Sequence, residues 1–141
     1  MNHKHMFNAA REVSYDADYC GSSNVRIGCV VAYKGTILAK GSNSNKTHPT
    51  QDRYNIYRYK NVGNGYLPAK VHSEIAALNK IKYLDIDFSQ VHVYVYRETK
   101  NGKYAMARPC PACRKYIQSL GIKKIHYTTD CGFAHEEIAN K

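Results

Sequence analysis

Two short segments carry residue types at spacings that could do hydrolytic chemistry: His72-Ser73-Glu74 and Pro109-Cys110-Pro111-Ala112-Cys113. Each is weak by itself, because His-x-Glu arises by chance and Cys-x-x-Cys serves redox, metal and packing roles alike. Together they supply one histidine and two cysteines, the three protein ligands of a tetrahedral catalytic zinc whose fourth position takes water. Such a water titrates near ~7, and Glu74 beside it would carry its proton. The blander alternatives are a structural zinc, with His92, His126 or Cys131 as fourth ligand, and a fold without metal. A structural site has no use for Glu74, which favours the catalytic reading.

The elements around these segments must bring them together. Pro111 opens and Gly121 closes a helix expected over 111–120. Cys110 and Cys113 then share one face of its first turn, where the positive end of the helix dipole favours thiolates. Positions 72 and 74 lie roughly 200° apart on an ideal helix. They converge only if His72 stands at the very start of the helix expected over 71–83. Helical spacing of Met6, Ala9, Ala10, Val13 and Ala17 predicts a helix over 5–17. Residues 26–39 read as a hairpin around Lys34-Gly35. Residues 42–68 lose all periodicity and read as a long loop, rich in tyrosine (Tyr54, Tyr57, Tyr59, Tyr66), that walls the site. A strand is expected over 91–96, returning through Asn101-Gly102 to residues 104–107, and another over 124–128. Residues 133–138 remain open between strand and helix. This order predicts an α/β, three-layer fold with a central mixed sheet flanked by helices. The strands before and after the cysteine helix should be parallel neighbours, with ligands at their carboxyl ends.

The chain has 141 residues, 43% hydrophobic, with a mean hydropathy of -0.58, and reads as a single domain over 1–141. No apolar run nears the roughly 18 residues of a membrane span, and no apolar segment follows Met1-Asn-His-Lys-His5, so a cytoplasmic protein without a membrane partner is expected. Five cysteines, an odd number, argue against a disulfide framework. Cys29 reads as a core residue, and Cys20 and Cys131 as loop thiols. The net charge of +10 is uneven: residues 46–70 hold five basic and one acidic residue, and 100–124 hold seven basic and none acidic. Both stretches flank the expected site. They suit a nucleotide phosphate or, with 13 tyrosines in the chain, a groove for single-stranded nucleic acid.

With these motifs in place, the sequence resembles the zinc-dependent cytidine and deoxycytidylate deaminase superfamily, whose signature is H-x-E with P-C-x-x-C. Gly41-Ser42-Asn43 is similar to the family's G-x-N. The resemblance implies the deaminase fold, with His72, Cys110 and Cys113 as Zn²⁺ ligands, Glu74 as general acid/base and Asn43 as a sugar contact. It also places Tyr127 near the base, and Ser73 and His48 are carried as further substrate contacts. The ordinary roles for these are a turn residue for Asn43, strand packing for Tyr127 and an exposed loop position for His48. The implied reaction is hydrolytic deamination of cytosine in a nucleoside or nucleotide, releasing ammonia and needing no organic cofactor. Two alternatives stand beside it: a deaminase acting on cytosine or adenine within DNA, RNA or tRNA, and an inactive zinc domain that binds nucleic acid. The family resemblance also leaves room for a homo-oligomer. Ser73 replaces the usual alanine, and Ala112 replaces the acidic residue common in deoxycytidylate deaminases. The Lys46-Thr-His-Pro49 loop resembles deaminase-like proteins of bacteria and phages.

Overall fold

Apolar side chains on both faces of the central strands require cover from both sides. The structure, a computed structural model, describes residues 2–17, 26–44, 46–58 and 70–138. Its elements are α1 (His3–Ser14), β1 (Ile27–Tyr33), β2 (Thr36–Ser42), α2 (Pro49–Tyr54), α3 (Ser73–Leu78), β3 (Val91–Arg97), α4 (Pro111–Ser119), β4 (Lys124–Thr129) and β5 (Gly132–Glu137). The sheet order is β2-β1-β3-β4-β5, with β3 and β4 parallel and every other pair antiparallel. This is the mixed, three-layer α/β sheet expected from the order of elements. Met6, Phe7, Ala10 and Val13 of α1 pack on Val30, Ala32, Tyr94 and Tyr96. Cys29, Val31, Val93, Val95 and Ile125 face the other way, toward Ile75 and Leu78 of α3 and Ile117 of α4. Cys29 is therefore a core residue, as its strand position implies.

The hairpin turn forms as predicted, with positive φ at Lys34 (50°) and Gly35 (82°), the combination that matches the twist of paired strands. Several boundaries differ. The long loop expected over 42–68 contains α2 and a 3-10 turn at Asn55–Tyr57. His48 caps α2 by accepting from Thr50 N–H, and Pro49 fills its first turn. Tyr59 and Tyr66 lie outside the described residues, as does Cys20. The helix expected over 71–83 is regular only from Ser73 to Leu78; beyond it Lys80 and Ile81 bond back three residues, to Ala77 and Leu78. The hairpin return over 104–107 is reduced to one bridge, Glu98 with Tyr104, because Ala107 N–H turns instead to Thr128 on β4. The open C-terminal segment is a strand, β5, antiparallel to β4. Among the described residues no helix is long and apolar enough to cross a membrane.

Four histidines gather on the α1 face, away from the cysteine motif. His126 stacks on Tyr94 (4.3 Å between ring centroids), the His3 ring is tilted against it at 4.7 Å, and its Nε2 lies 2.8 Å from His92 Nδ1. His3, His92, His126 and His135 line a cavity of about 550 Å³ together with Phe7 and Phe133. Burial pushes the His126 pKa down to about 3, helped by His3, His92, His135 and Lys124, and burial also lowers that of His92. An unfolded chain therefore takes up these protons first as pH falls, so stability is full above about 6.5 and declines below it. His126 is 8% exposed and should account for about 2 kcal/mol between pH 7.5 and pH 5. His126→Phe keeps the ring stack without the titration. Urea unfolding at the two pH values should show the native protein losing about 2 kcal/mol more than this variant; equal losses would count against the assignment.

Candidate active site

The site is built where two helices begin. His72 is the N-cap of α3, with extended backbone (φ −83°, ψ 158°), so its side chain departs before the helix turns. Glu74, inside the first turn, then points to the same place, which resolves the angular conflict of a His-x-Glu pair on one helix. Cys110 is likewise the N-cap of α4, extended at φ −66° and ψ 166°, with Pro111 next. Cys113 follows one turn later, fully buried. Since β3 and β4 run parallel, α4 crosses over the same sheet face that carries α3.

This brings His72 Nδ1 to 3.5 Å from Cys110 Sγ and 3.3 Å from Cys113 Sγ. A tetrahedral zinc with ordinary Zn–N and Zn–S bonds would hold such nitrogen and sulfur atoms about 3.6 Å apart. The three donor atoms lie within 4.8 Å of one another, so the donor set and its spacing fit that ion. Charge is shared unevenly among the three donors. A hydrogen bond from the Cys113 thiol, aided by His72, holds the Cys110 thiol down to about 4, while the same bond and burial push Cys113 up. Burial opposes charge on His72, but Cys110 and Glu74 outweigh it and raise its pKa. Burial also raises that of Glu74, against the pull of His72 and Ser73. Glu74 is 5% exposed, and its Oε1 accepts from Ser73 Oγ at 2.6 Å.

A cavity of about 260 Å³ opens beside this cluster, lined by His72, Glu74, Cys110, Asn43, Arg97 and Arg108 among others. Asn43 stands in its wall with Oδ1 fixed by the Ile27 N–H at 2.8 Å. Ser73 does not line it: the residue is fully buried and its hydroxyl is spent on Glu74. Tyr127 is also outside it, buried with its hydroxyl on Glu136 at 2.6 Å. His48 caps α2 and faces Asn79, away from the cavity lining.

Two basic residues of the wall were not singled out by sequence reasoning. Arg97 ends β3 and Arg108 precedes the cysteine motif, so a cation at the carboxyl end of a central strand was the available signal. Arg108 is gripped by Glu136 at 2.6 Å, and Arg114 reaches the same carboxylate at 2.8 Å, which holds its pKa down to about 2 although burial works the other way. No carboxylate lies within 4.0 Å of Arg97 among the described residues. The basic stretch 100–124 does not form one surface, since Lys124 lines the histidine cavity on the opposite face. Residues 59–69 of the stretch 46–70 lie outside the described residues.

A layered α/β sheet on which a His-x-Glu helix and a Pro-Cys-x-x-Cys helix start side by side is the arrangement of the zinc-dependent nucleobase deaminase class. More narrowly, the chain belongs to the family described as the cytidine and deoxycytidylate deaminase zinc-binding region, whose model matches residues 1–129. Solved structures share the fold. A cytidine deaminase from Burkholderia pseudomallei is 19% identical with a TM-score of 0.64, covering 97% of this chain and 93% of that one. A dCMP deaminase from the cyanophage S-TIM5 is 20% identical with a TM-score of 0.57, covering 88% and 79%. A cytidine deaminase from Mycobacterium leprae is 18% identical with a TM-score of 0.56, covering 96% and 93%. A search of curated proteins finds no match.

Proposed function

We propose that the protein is a zinc-dependent hydrolase that removes the amino group of cytosine in a nucleotide, giving uracil and ammonia. The observation that carries this reading is the convergence of His72 Nδ1, Cys110 Sγ and Cys113 Sγ beside the buried Glu74 at one cavity. Those three atoms would hold the zinc, which when bound supplies Lewis-acid activation of a water at neutral pH. Glu74 accepts one proton from the attacking water and passes it to the cytosine ring nitrogen, then carries that water's second proton, from the new hydroxyl at C4, to the departing amino group as the C4 carbonyl forms and ammonia leaves. Burial keeps a proton on Glu74 more readily than on an exposed carboxylate, which suits a group that must both take and give one. Asn43, pinned through its carbonyl oxygen, is positioned to hold a sugar hydroxyl. The chain's own wall supports a nucleotide.

Arg97 and Arg108 place two guanidinium groups on a cavity large enough for little more than a base and sugar. Arg97, without a carboxylate partner among the described residues, is the phosphate ligand in this reading. The test is a panel of cytidine, deoxycytidine, their monophosphates, adenosine, and single-stranded DNA and RNA, read by product mass and ammonia release. Turnover is expected with the monophosphates. Arg97→Gln should raise their KM about tenfold, the worth of one charged hydrogen bond, and leave the nucleosides unchanged. Turnover confined to oligonucleotides would overturn the mononucleotide reading.

A further inference from the structure

The segment between β2 and α3 carries an amide that the reaction itself does not use. Gln51, on α2, is fully buried, and both ends of its side chain are engaged. Its Oε1 accepts from the His72 backbone N–H at 3.0 Å, and its Nε2 donates to Asn55 Oδ1 at 2.8 Å. Asn55 is itself fully buried and also receives Arg58 NH1 at 3.3 Å. Removing an amide of this size from water is costly unless its hydrogen bonds are made, so its orientation is strongly specified.

The place where that orientation acts matters. His72 is an N-cap without a side-chain cap of its own, and its N–H would otherwise be an unpaired donor at the part-buried junction of loop and helix. Gln51 fills that need from a different element. The same α2 also rests on the helix that carries the cysteines: the Tyr54 ring lies 5.1 Å from that of Tyr116, and Tyr54 hydroxyl reaches Ser119 Oγ at 3.2 Å. A second tie runs from Tyr116 hydroxyl to Asn79 Oδ1 at 2.6 Å, linking α4 to the end of α3. One short helix is thus registered against α4 through its aromatic side and against His72 through its amide.

We infer that Gln51 is a positioning residue, setting the distance between the His72 imidazole and the two cysteine thiols through the His72 backbone. This rests on the zinc reading of the site. Supporting contacts one shell out from metal ligands are worth roughly 10- to 100-fold in metal affinity. Gln51→Met preserves the volume and removes both hydrogen bonds; Gln51→Glu keeps an acceptor for the His72 N–H. Asn55→Ala removes the anchor of Gln51 and leaves the His72 contact in place.

The test is zinc affinity by competition with a chromophoric chelator, alongside thermal unfolding of the zinc-free proteins. Gln51→Met is expected to weaken zinc 10- to 100-fold, Gln51→Glu to recover most of that loss, and Asn55→Ala to fall between. If Gln51→Met fails to fold, Asn55→Ala and Gln51→Glu carry the same comparison, and a graded loss in the first with recovery in the second supports the assignment. A role in folding alone predicts lower melting temperatures with zinc affinity within twofold of wild type, and that result overturns it. A wild-type protein that takes up no zinc overturns the zinc reading and this assignment together. Tight binding by wild type beside unchanged binding by every variant overturns only the role of Gln51.

Discussion

Glu74→Gln should retain zinc and lose turnover, with kcat lower by about 10²- to 10⁴-fold, the usual contribution of a positioned acid or base. Glutamine has the shape of glutamate and offers a carbonyl oxygen where Ser73 Oγ now donates at 2.6 Å, so the side chain should keep its place. What it lacks is any means of taking up and handing on a proton at neutral pH. The ligand atoms of His72, Cys110 and Cys113 are untouched, and zinc content measured by mass spectrometry should equal that of wild type. Substrate affinity should change little, because the loss falls on steps after binding. Ammonia release within tenfold of wild type, at equal zinc content, would show that another group carries the proton. The inactive nucleic-acid-binding alternative makes the opposite demand, since it gives Glu74 no work and predicts that both proteins release nothing.

The two chemical motifs were legible because each announces itself by local rules. Pro111 and Gly121 mark the ends of α4, and the 3.6-residue period then puts Cys110 and Cys113 on one turn. The extended N-cap at His72 followed from the angle between positions 72 and 74, before any tertiary information. The parallel pairing of β3 and β4 followed from a helix between two strands with a short return. By contrast α2 is six residues long, too short for an apolar period, and its marks were a His48 cap and a Pro49 start inside a polar stretch. Gln51 carries no local mark either, since its partner His72 lies 21 positions away in sequence.

What keeps Tyr127 out of the cavity lining is equally non-local. Tyr127 sits on β4 next to the site in sequence terms, but β5 pairs beside it and brings Glu136 to its hydroxyl. Residues 133–138 are open between strand and helix in the sequence, and only their pairing as β5 brings in the Glu136 that neutralises part of the basic stretch 100–124. Arg108 and Arg114 share one carboxylate, so the charge available at the cavity is smaller than a count of residues implies. Arg97 is then the cation of the wall least committed elsewhere, which is why the substrate reading turns on it and not on the larger charge of the chain.

Gly41→Ala should damage both stability and catalysis, and the pairing with Gly28→Ala separates the two effects. A methyl group on Gly41 would stand 2.5 Å from Ala77 N and 2.7 Å from Ser73 O, both backbone atoms of α3. Backbone cannot rotate aside as a side chain can, so α3 must retreat by roughly 1 Å. The cost should be about 1–3 kcal/mol or more in unfolding free energy, as for overpacked cores. Because α3 carries Glu74 and is capped by His72, its retreat also shifts the proton carrier against the cysteines on α4, and a misplacement of that size costs about 10²-fold in rate. Gly28 makes an equally close approach on the other sheet face, where a methyl group would stand 2.0 Å from Ala10 O of α1. That helix carries no residue of the catalytic cavity. Gly28→Ala should therefore lower the melting temperature to a similar degree while the folded protein keeps its kcat and zinc content. Measured well below both transitions, a fall in kcat common to the two variants would mean that α3 is not held by Gly41 in particular. A fall in Gly41→Ala alone shows that the glycine of Gly41-Ser42-Asn43 acts on the chemistry through the helix it allows to approach.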